Sequence, residues 1–221
     1  MKKIIIFDMD GTLIDSETPY LEALTEVFKK YGISFTREEY VAEQAGRTFE
    51  ECQASIIRKS GNLELGLQVI KETGALHQKR FEEEGFLSKP GLIETLEAIK
   101  AKGIKMMVAS SSTRQLVDKR LKSLGIQGYF SEIVSGDQVS HSKPHPEIFL
   151  LALERSGCSA QEALIVEDSP SGVEAGLNAH IETIMVPDLV EATPKIQEEA
   201  LAVVPDLTGI LPYLGDEMGN S

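Results

Sequence analysis

Ile4-Ile5-Ile6-Phe7-Asp8-Met9-Asp10-Gly11-Thr12 is the stretch on which the reading of this chain turns. Its four apolar residues, β-branched at the first three positions, form a run of the length and composition of a buried strand. The run breaks abruptly into two carboxylates, a glycine and a hydroxyl. In an open α/β sheet, ligands gather just beyond the carboxyl ends of the strands. Two acids two residues apart at such an edge can face one small site, where one attacks or holds a cation and the other moves a proton. A lone pair of this kind is equally a polar exit from a strand, so the decision rests on the sequence downstream.

Apolar runs recur at residues 104–109, 163–166 and 181–186, with a weaker one at 132–135. Helical patterns separate them: 90–102, ending at Gly103; 112–124, opening with the capping-box pattern Ser112-x-x-Gln115 and stopping at Gly125; and 146–156, ending at Gly157. Strands alternating with helices predict a parallel sheet with right-handed crossovers. Residues 16–87 read differently. They hold no convincing strand, two further capping-box patterns (Thr36-x-x-Glu39 and Thr48-x-x-Glu51), and Leu21, Leu24, Val27, Phe28 and Tyr31 at helical spacing. This predicts an inserted helical subdomain that returns through residues 86–91, with Pro90 in the linker. Gly66 and Gly74 weaken the helix expected over 63–85, and the tail 215–221 is expected to fray.

The chain has 221 residues, 42% hydrophobic and 26% charged, enough for a soluble core domain with a smaller insert. Its 35 acidic against 22 basic residues give a net charge of −13, which argues against nucleic acid or an anionic membrane surface as partner. The same charge repels phosphorylated ligands at long range, so a phosphate site needs local cations or a bound metal. Two cysteines, Cys52 and Cys158, are too few for a disulfide framework and suit a reducing compartment. Lys2 and Lys3 precede only four apolar residues, shorter than a signal-peptide core. No run approaches the ~18 apolar residues of a membrane span. A cytoplasmic location is therefore expected, and a monomer, since a core of this size can stand alone. His77, His141, His145 and His180 show no zinc-ligand spacing, because Pro144 disfavours a regular helix from His141 to His145.

Four polar sets fall where strands should end: Asp8 and Asp10; Val108-Ala109-Ser110-Ser111-Ser112; Ser142-Lys143-Pro144-His145-Pro146; and Ile165-Val166-Glu167-Asp168-Ser169. Singly they read as capping serines, a solvated lysine and helix-start acids. Together they lie at one edge of one sheet. Two unit charges ~4 Å apart repel by about 4 kcal/mol at an effective dielectric of 20, so Asp8, Asp10, Glu167 and Asp168 need a cation. All-oxygen ligands favour Mg²⁺, which keeps waters and accepts a phosphate oxygen. Lys143 adds fixed positive charge, and Ser110 with the amides opening the next helix can donate to phosphate oxygens. The set suits phosphoryl transfer, where catalysis is mainly positioning and charge neutralisation.

In their order and spacing, Asp8-Met9-Asp10-Gly11-Thr12, Ser110, Lys143 and Glu167-Asp168 resemble the haloacid dehalogenase superfamily, over residues 3–190. The helical insert resembles the cap of its β-phosphoglucomutase-like branch. The resemblance implies a Rossmann-like α/β core (residues 1–15 and 88–221) carrying an all-helical cap (16–87), with hinges near 14–17 and 86–89 that open and close the cap. It also implies the roles. Asp8 is the nucleophile that forms an aspartyl-phosphate, and Asp10 the general acid/base. Ser110, with Ser111 beside it, binds the transferring phosphoryl group, which Lys143 neutralises. Asp8, the backbone carbonyl of Asp10, Glu167 and Asp168 hold Mg²⁺. An acid at position 10 disfavours dehalogenases and transport ATPases, which lack it.

Within this branch the acceptor decides the activity: water makes a phosphatase, a second sugar hydroxyl a mutase. The mutase pattern has a histidine where this chain has Tyr20, and a lysine-asparagine pair where it has Thr113-Arg114. Arg47 lies near the place of the cap arginine that holds a distal phosphate. These departures favour a hydrolase acting on a small phosphorylated metabolite, such as a sugar phosphate. The alternatives are a β-phosphoglucomutase-type enzyme and a phosphometabolite-binding protein without turnover.

Overall fold

The computed structural model describes residues 1–45 and 49–215. Its chain divides into two compact units, Met1–Ile14 with Leu87–Ser221, and Asp15–Phe86. In the first unit β1 (Ile4–Phe7) is buried at every residue, as expected of a strand covered on both faces of a parallel sheet. The chain leaves through β2 (Ile14–Asp15).

The second unit is helical. In α1 (Glu17–Lys30), Leu21, Ala23, Leu24, Val27 and Phe28 are buried along one stripe. Next, α2 (Arg37–Glu43) opens with the expected capping box, the Glu39 N–H donating to Thr36 Oγ1 at 3.2 Å and the Thr36 N–H to Glu39 Oε2 at 2.9 Å. Thr48, of the other box expected in this unit, lies outside the described residues. After α3 (Phe49–Ser60), Asn62 caps α4 (Leu63–Glu84) by accepting the Leu65 N–H at 2.9 Å. The two glycines do not interrupt α4. Gly66 sits where a Cβ would lie 2.6 Å from Ile57 Cα, so its missing side chain lets α3 and α4 approach closely. Gly74 faces open space. Phe28 and Phe35 pack at 4.9 Å in this unit, and half-buried Tyr20 lies between Tyr40 and His77.

The chain returns through β3 (Leu87–Ser88), which pairs with β2. The first unit then alternates: α5 (Leu92–Ala101), β4 (Lys105–Ser110), α6 (Arg114–Ser123), β5 (Glu132–Ser135), α7 (Glu147–Ser156), β6 (Ala163–Glu167), α8 (Pro170–Asn178), β7 (Thr183–Met185), α9 (Pro194–Glu199) and β8 (Ala202–Val203). The six-stranded sheet has the order β5-β4-β1-β6-β7-β8 and is parallel throughout. This is a Rossmann-like α/β fold. Ile4 pairs with both Lys105 and Ala163, so β4, β1 and β6 run in step and end within two residues of one another. The order reverses at β1, which makes its carboxyl end the switch point. One face of the sheet packs on α7 through Ile4, Ile6, Met107, Ala109, Ile148 and Phe149.

Two local expectations fail. Helix α6 starts at Arg114 with Thr113 as its N-cap and no side-chain cap bond, so Ser112 caps nothing. Its hydroxyl instead donates to Asp10 Oδ2 at 2.9 Å. The strand expected over 181–186 shortens to Thr183–Met185, because His180 turns the chain at φ 56° and the strand begins only after that turn. The fraying expected of the tail falls on residues 216–221, outside those described.

Candidate active site

Three neighbouring strands, β4, β1 and β6, deliver Ser110, Asp8 and Glu167 to one edge. Asp8 follows directly on β1, its N–H donating to Val166 O at 2.9 Å. Beyond it the chain closes a tight turn, in which the Leu13 and Ile14 N–H groups both donate to Met9 O at 3.0 Å. Lys143 reaches in from the loop before α7. Its Nζ donates to Asp8 Oδ1 at 2.5 Å and to Glu167 Oε1 at 2.7 Å, and lies 4.9 Å from the Phe149 ring centroid. The exposures of the three side chains, 7%, 8% and 1%, mark this as a buried cluster. Glu167 Oε2 accepts from the N–H and hydroxyl of Ser169 at 2.8 and 3.0 Å. A Cβ at Gly172 would fall 1.7 Å from Glu167 Oε1, so α8 makes room for the carboxylate by lacking a side chain there.

Asp168 stands on the other side, where Thr12 Oγ1 donates to its Oδ1 at 2.9 Å. Gly11 closes over it at φ +86°, a conformation that favours glycine, and a Cβ there would lie 2.2 Å from Asp168 Oδ2. Nearby, Lys89 and Asp188 form a largely buried ion pair at 2.7 Å.

The charges do not balance. Burial, and then the neighbouring Glu167 and Asp10, outweigh the pull of Lys143 and raise the Asp8 pKa to about 7. Burial and the adjacent Glu167 and Asp8 push Asp168 well above the usual carboxylate range. Burial works against the Lys143 ammonium, but Asp8 and Glu167 more than offset it and hold its pKa above the ordinary value. Ligand oxygens of Asp8, Glu167 and Asp168 lie within 4.8 Å of one another. A buried, all-oxygen set with excess negative charge is the donor chemistry of a hard divalent cation, and these residues fit one.

Asp10 is held apart from this cluster. Its Oδ2 accepts from Ser112, and its Oδ1 is paired with Arg120 Nη1 from α6. Ser110 is buried at the end of β4, its Oγ accepting the Ser112 N–H at 3.1 Å. Ser111 is exposed and helps line a cavity of about 210 Å³ shared with Gly136, His141 and Lys143. Arg47 lies outside the described residues. Sequence reasoning missed Thr12, Ser112 as an Asp10 partner, Arg120, and the Lys89–Asp188 pair. Thr12 and Ser112 sit inside quoted motifs and were within reach. Arg120, Lys89 and Asp188 come from elements whose local pattern carries no sign of a site. Among the described residues, no helix is long and apolar enough to cross a membrane.

The family model of haloacid dehalogenase-like hydrolases matches residues 5–186. A phosphorylated carbohydrates phosphatase of Thermotoga maritima is 35% identical over 207 residues, covering 90% of this chain and 93% of its own length. A phosphoglycolate phosphatase of Aquifex aeolicus is 31% identical, covering 83% of this chain and 84% of its own. A solved Thermotoga maritima structure, provisionally described as a β-phosphoglucomutase, is 33% identical at a TM-score of 0.80, covering 97% of this chain and 98% of that one. The chain thus belongs to the haloacid dehalogenase-like hydrolases, as an enzyme whose relatives favour phosphatase over mutase.

Proposed function

We propose that this enzyme is a Mg²⁺-dependent phosphatase of small phosphorylated metabolites, sugar phosphates foremost, working through an aspartyl-phosphate on Asp8. The observation that carries the reading is the buried group in which Lys143 bridges Asp8 and Glu167 while Asp10 stands at the same strand edge with partners of its own. A carboxylate oxygen of Asp8 attacks phosphorus and the ester P–O bond breaks. Asp10 gives its proton to the leaving oxygen. In the second half, water attacks phosphorus, Asp10 takes its proton, and phosphate leaves with Asp8 restored. Lys143 balances negative charge as the phosphoryl group transfers, and Ser110 and Ser111 donate to its oxygens. Asp8, Asp168, Glu167 and the Asp10 carbonyl would hold Mg²⁺, which supplies charge neutralisation that Lys143 alone cannot. The helical unit, as a cap, would choose the substrate.

A mutase remains the second reading, favoured by the 33%-identical structure described provisionally under that activity. Purified protein with Mg²⁺ is given a panel of sugar phosphates that includes β-glucose 1-phosphate, and free phosphate and glucose 6-phosphate are followed together. Phosphate release that disappears in a folded Asp8→Asn variant is the expected result. Glucose 6-phosphate without phosphate release would establish the mutase. No Mg²⁺-dependent turnover across the panel would favour a binding protein.

A further inference from the structure

The loop that delivers Lys143 carries a second group of ligand-type side chains, His141 and His145 exposed and Glu147 half-buried. His141 and His145 flank Pro144, yet their rings stack at 4.4 Å between centroids, with 29° between planes. A turn rather than a helix brings them together, the His145 N–H donating to Ser142 O at 3.0 Å. As expected from Pro144, no regular helix joins His141 to His145, and it is the turn that sets the two rings side by side. Glu147, the first residue of α7, completes the group. Its two carboxylate oxygens accept the N–H groups of Ser140 and His141, each at 2.9 Å, and His141 Nδ1 lies 2.8 Å from Oε2. His145 Nδ1 accepts the Glu147 N–H at 3.3 Å, which leaves Nε2 of that ring for an outside partner.

We propose that His141, His145 and Glu147 form a binding site for a transition-metal ion of Zn²⁺ type, separate from the acidic cluster at the strand ends. One ligand atom from each lies within 4.8 Å of the others. Bonds of ~2.0–2.2 Å in tetrahedral geometry place ligand atoms roughly 3.3 Å apart, so modest side-chain rotation closes the site. Both imidazoles are accessible to an incoming ion, with side chains 65% and 50% exposed. Glu147 is already fixed by two backbone donors, so one ligand is oriented before the ion arrives. Two imidazoles with one carboxylate suit Zn²⁺, Cu²⁺ or Ni²⁺, whereas the all-oxygen cluster suits Mg²⁺. The two sites therefore select different ions by donor type. The proposal does not depend on the phosphatase reading.

The test uses the full chain in excess Mg²⁺, which occupies the oxygen site. Zn²⁺ is titrated by calorimetry while the histidine ring protons are followed by NMR. One equivalent should bind, and the ring signals of two of the four histidines should move. His141→Ala and His145→Ala, both exposed and cheap for the fold, should each weaken binding by roughly tenfold or more. His180→Asn, at a positive φ that asparagine tolerates, should bind as the wild type does. Zn²⁺ binding of undiminished strength in the double variant, or no heat and no ring shift in the wild type, would overturn the site.

Discussion

At Asp8 burial and charge pull in opposite directions, and burial wins: its pKa rises to about 7 from an ordinary value of 3.8. A carboxyl whose folded pKa is raised favours the folded state in its protonated form. That contribution is complete below about pH 4 and is lost as pH climbs through 7. Without metal, Asp8→Asn should therefore gain stability over the wild type as pH rises from 4 to 7, then level off. Thermal melts in chelator at several pH values check this, and a difference that does not change with pH would refute it. Asp10, the proposed acid/base, is held by Ser112 and Arg120. Arg120→Met removes its ion-pair partner and should lower kcat by up to roughly 10²-fold with KM little changed, since a misplaced catalytic group loses rate before affinity. An unchanged kcat would show that Asp10 needs no such hold. Asp8, Asp10, Lys143, Glu167 and Asp168 were legible because each follows an apolar run or sits in a short motif. Arg120 was not, because the sequence does not say which face of α6 turns towards Asp10.

Among the elements, α3 and α4 show how much a missing methyl group decides. Gly66→Ala would put a Cβ 2.6 Å from Ile57 Cα, a backbone atom that cannot step aside. The expected cost is about 1–3 kcal/mol. Gly74→Ala in the same helix meets nothing within 4 Å and should stabilise by about 0.5–1 kcal/mol. Chemical denaturation of the two variants compares them directly, and equal effects would count against close packing of α3 on α4. Propensity alone treats these glycines alike, so the helix expected over 63–85 was legible but its continuity through them was not, whereas the β/α alternation was. The alternation shows as apolar runs broken by Gly103, Gly125 and Gly157. The strand β8 is only two residues long and leaves no periodicity to read. Ser112 was read as a cap because a Ser-x-x-Gln pattern carries no information about a distant carboxylate that competes for the hydroxyl.

On the scale of the molecule, the sequence showed a parallel sheet interrupted by a helical insert, but not the strand order. Order is a matter of long-range pairing, and only the register of β1 between β4 and β6 reveals why the polar sets meet. Three clustered carboxylates, two of them paired with one ammonium, offer a place that a proton and a divalent cation would contest. At pH 6, below the Asp8 pKa of about 7, the metal-free site holds a proton that Mg²⁺, if it is the ion proposed, would have to displace. The heat of Mg²⁺ binding at that pH should accordingly change with the ionisation enthalpy of the buffer, and a buffer-independent heat would exclude the exchange. On the proposed Mg²⁺ reading, loading is a trade between protons and magnesium, and metal occupancy should fall as pH drops below 7.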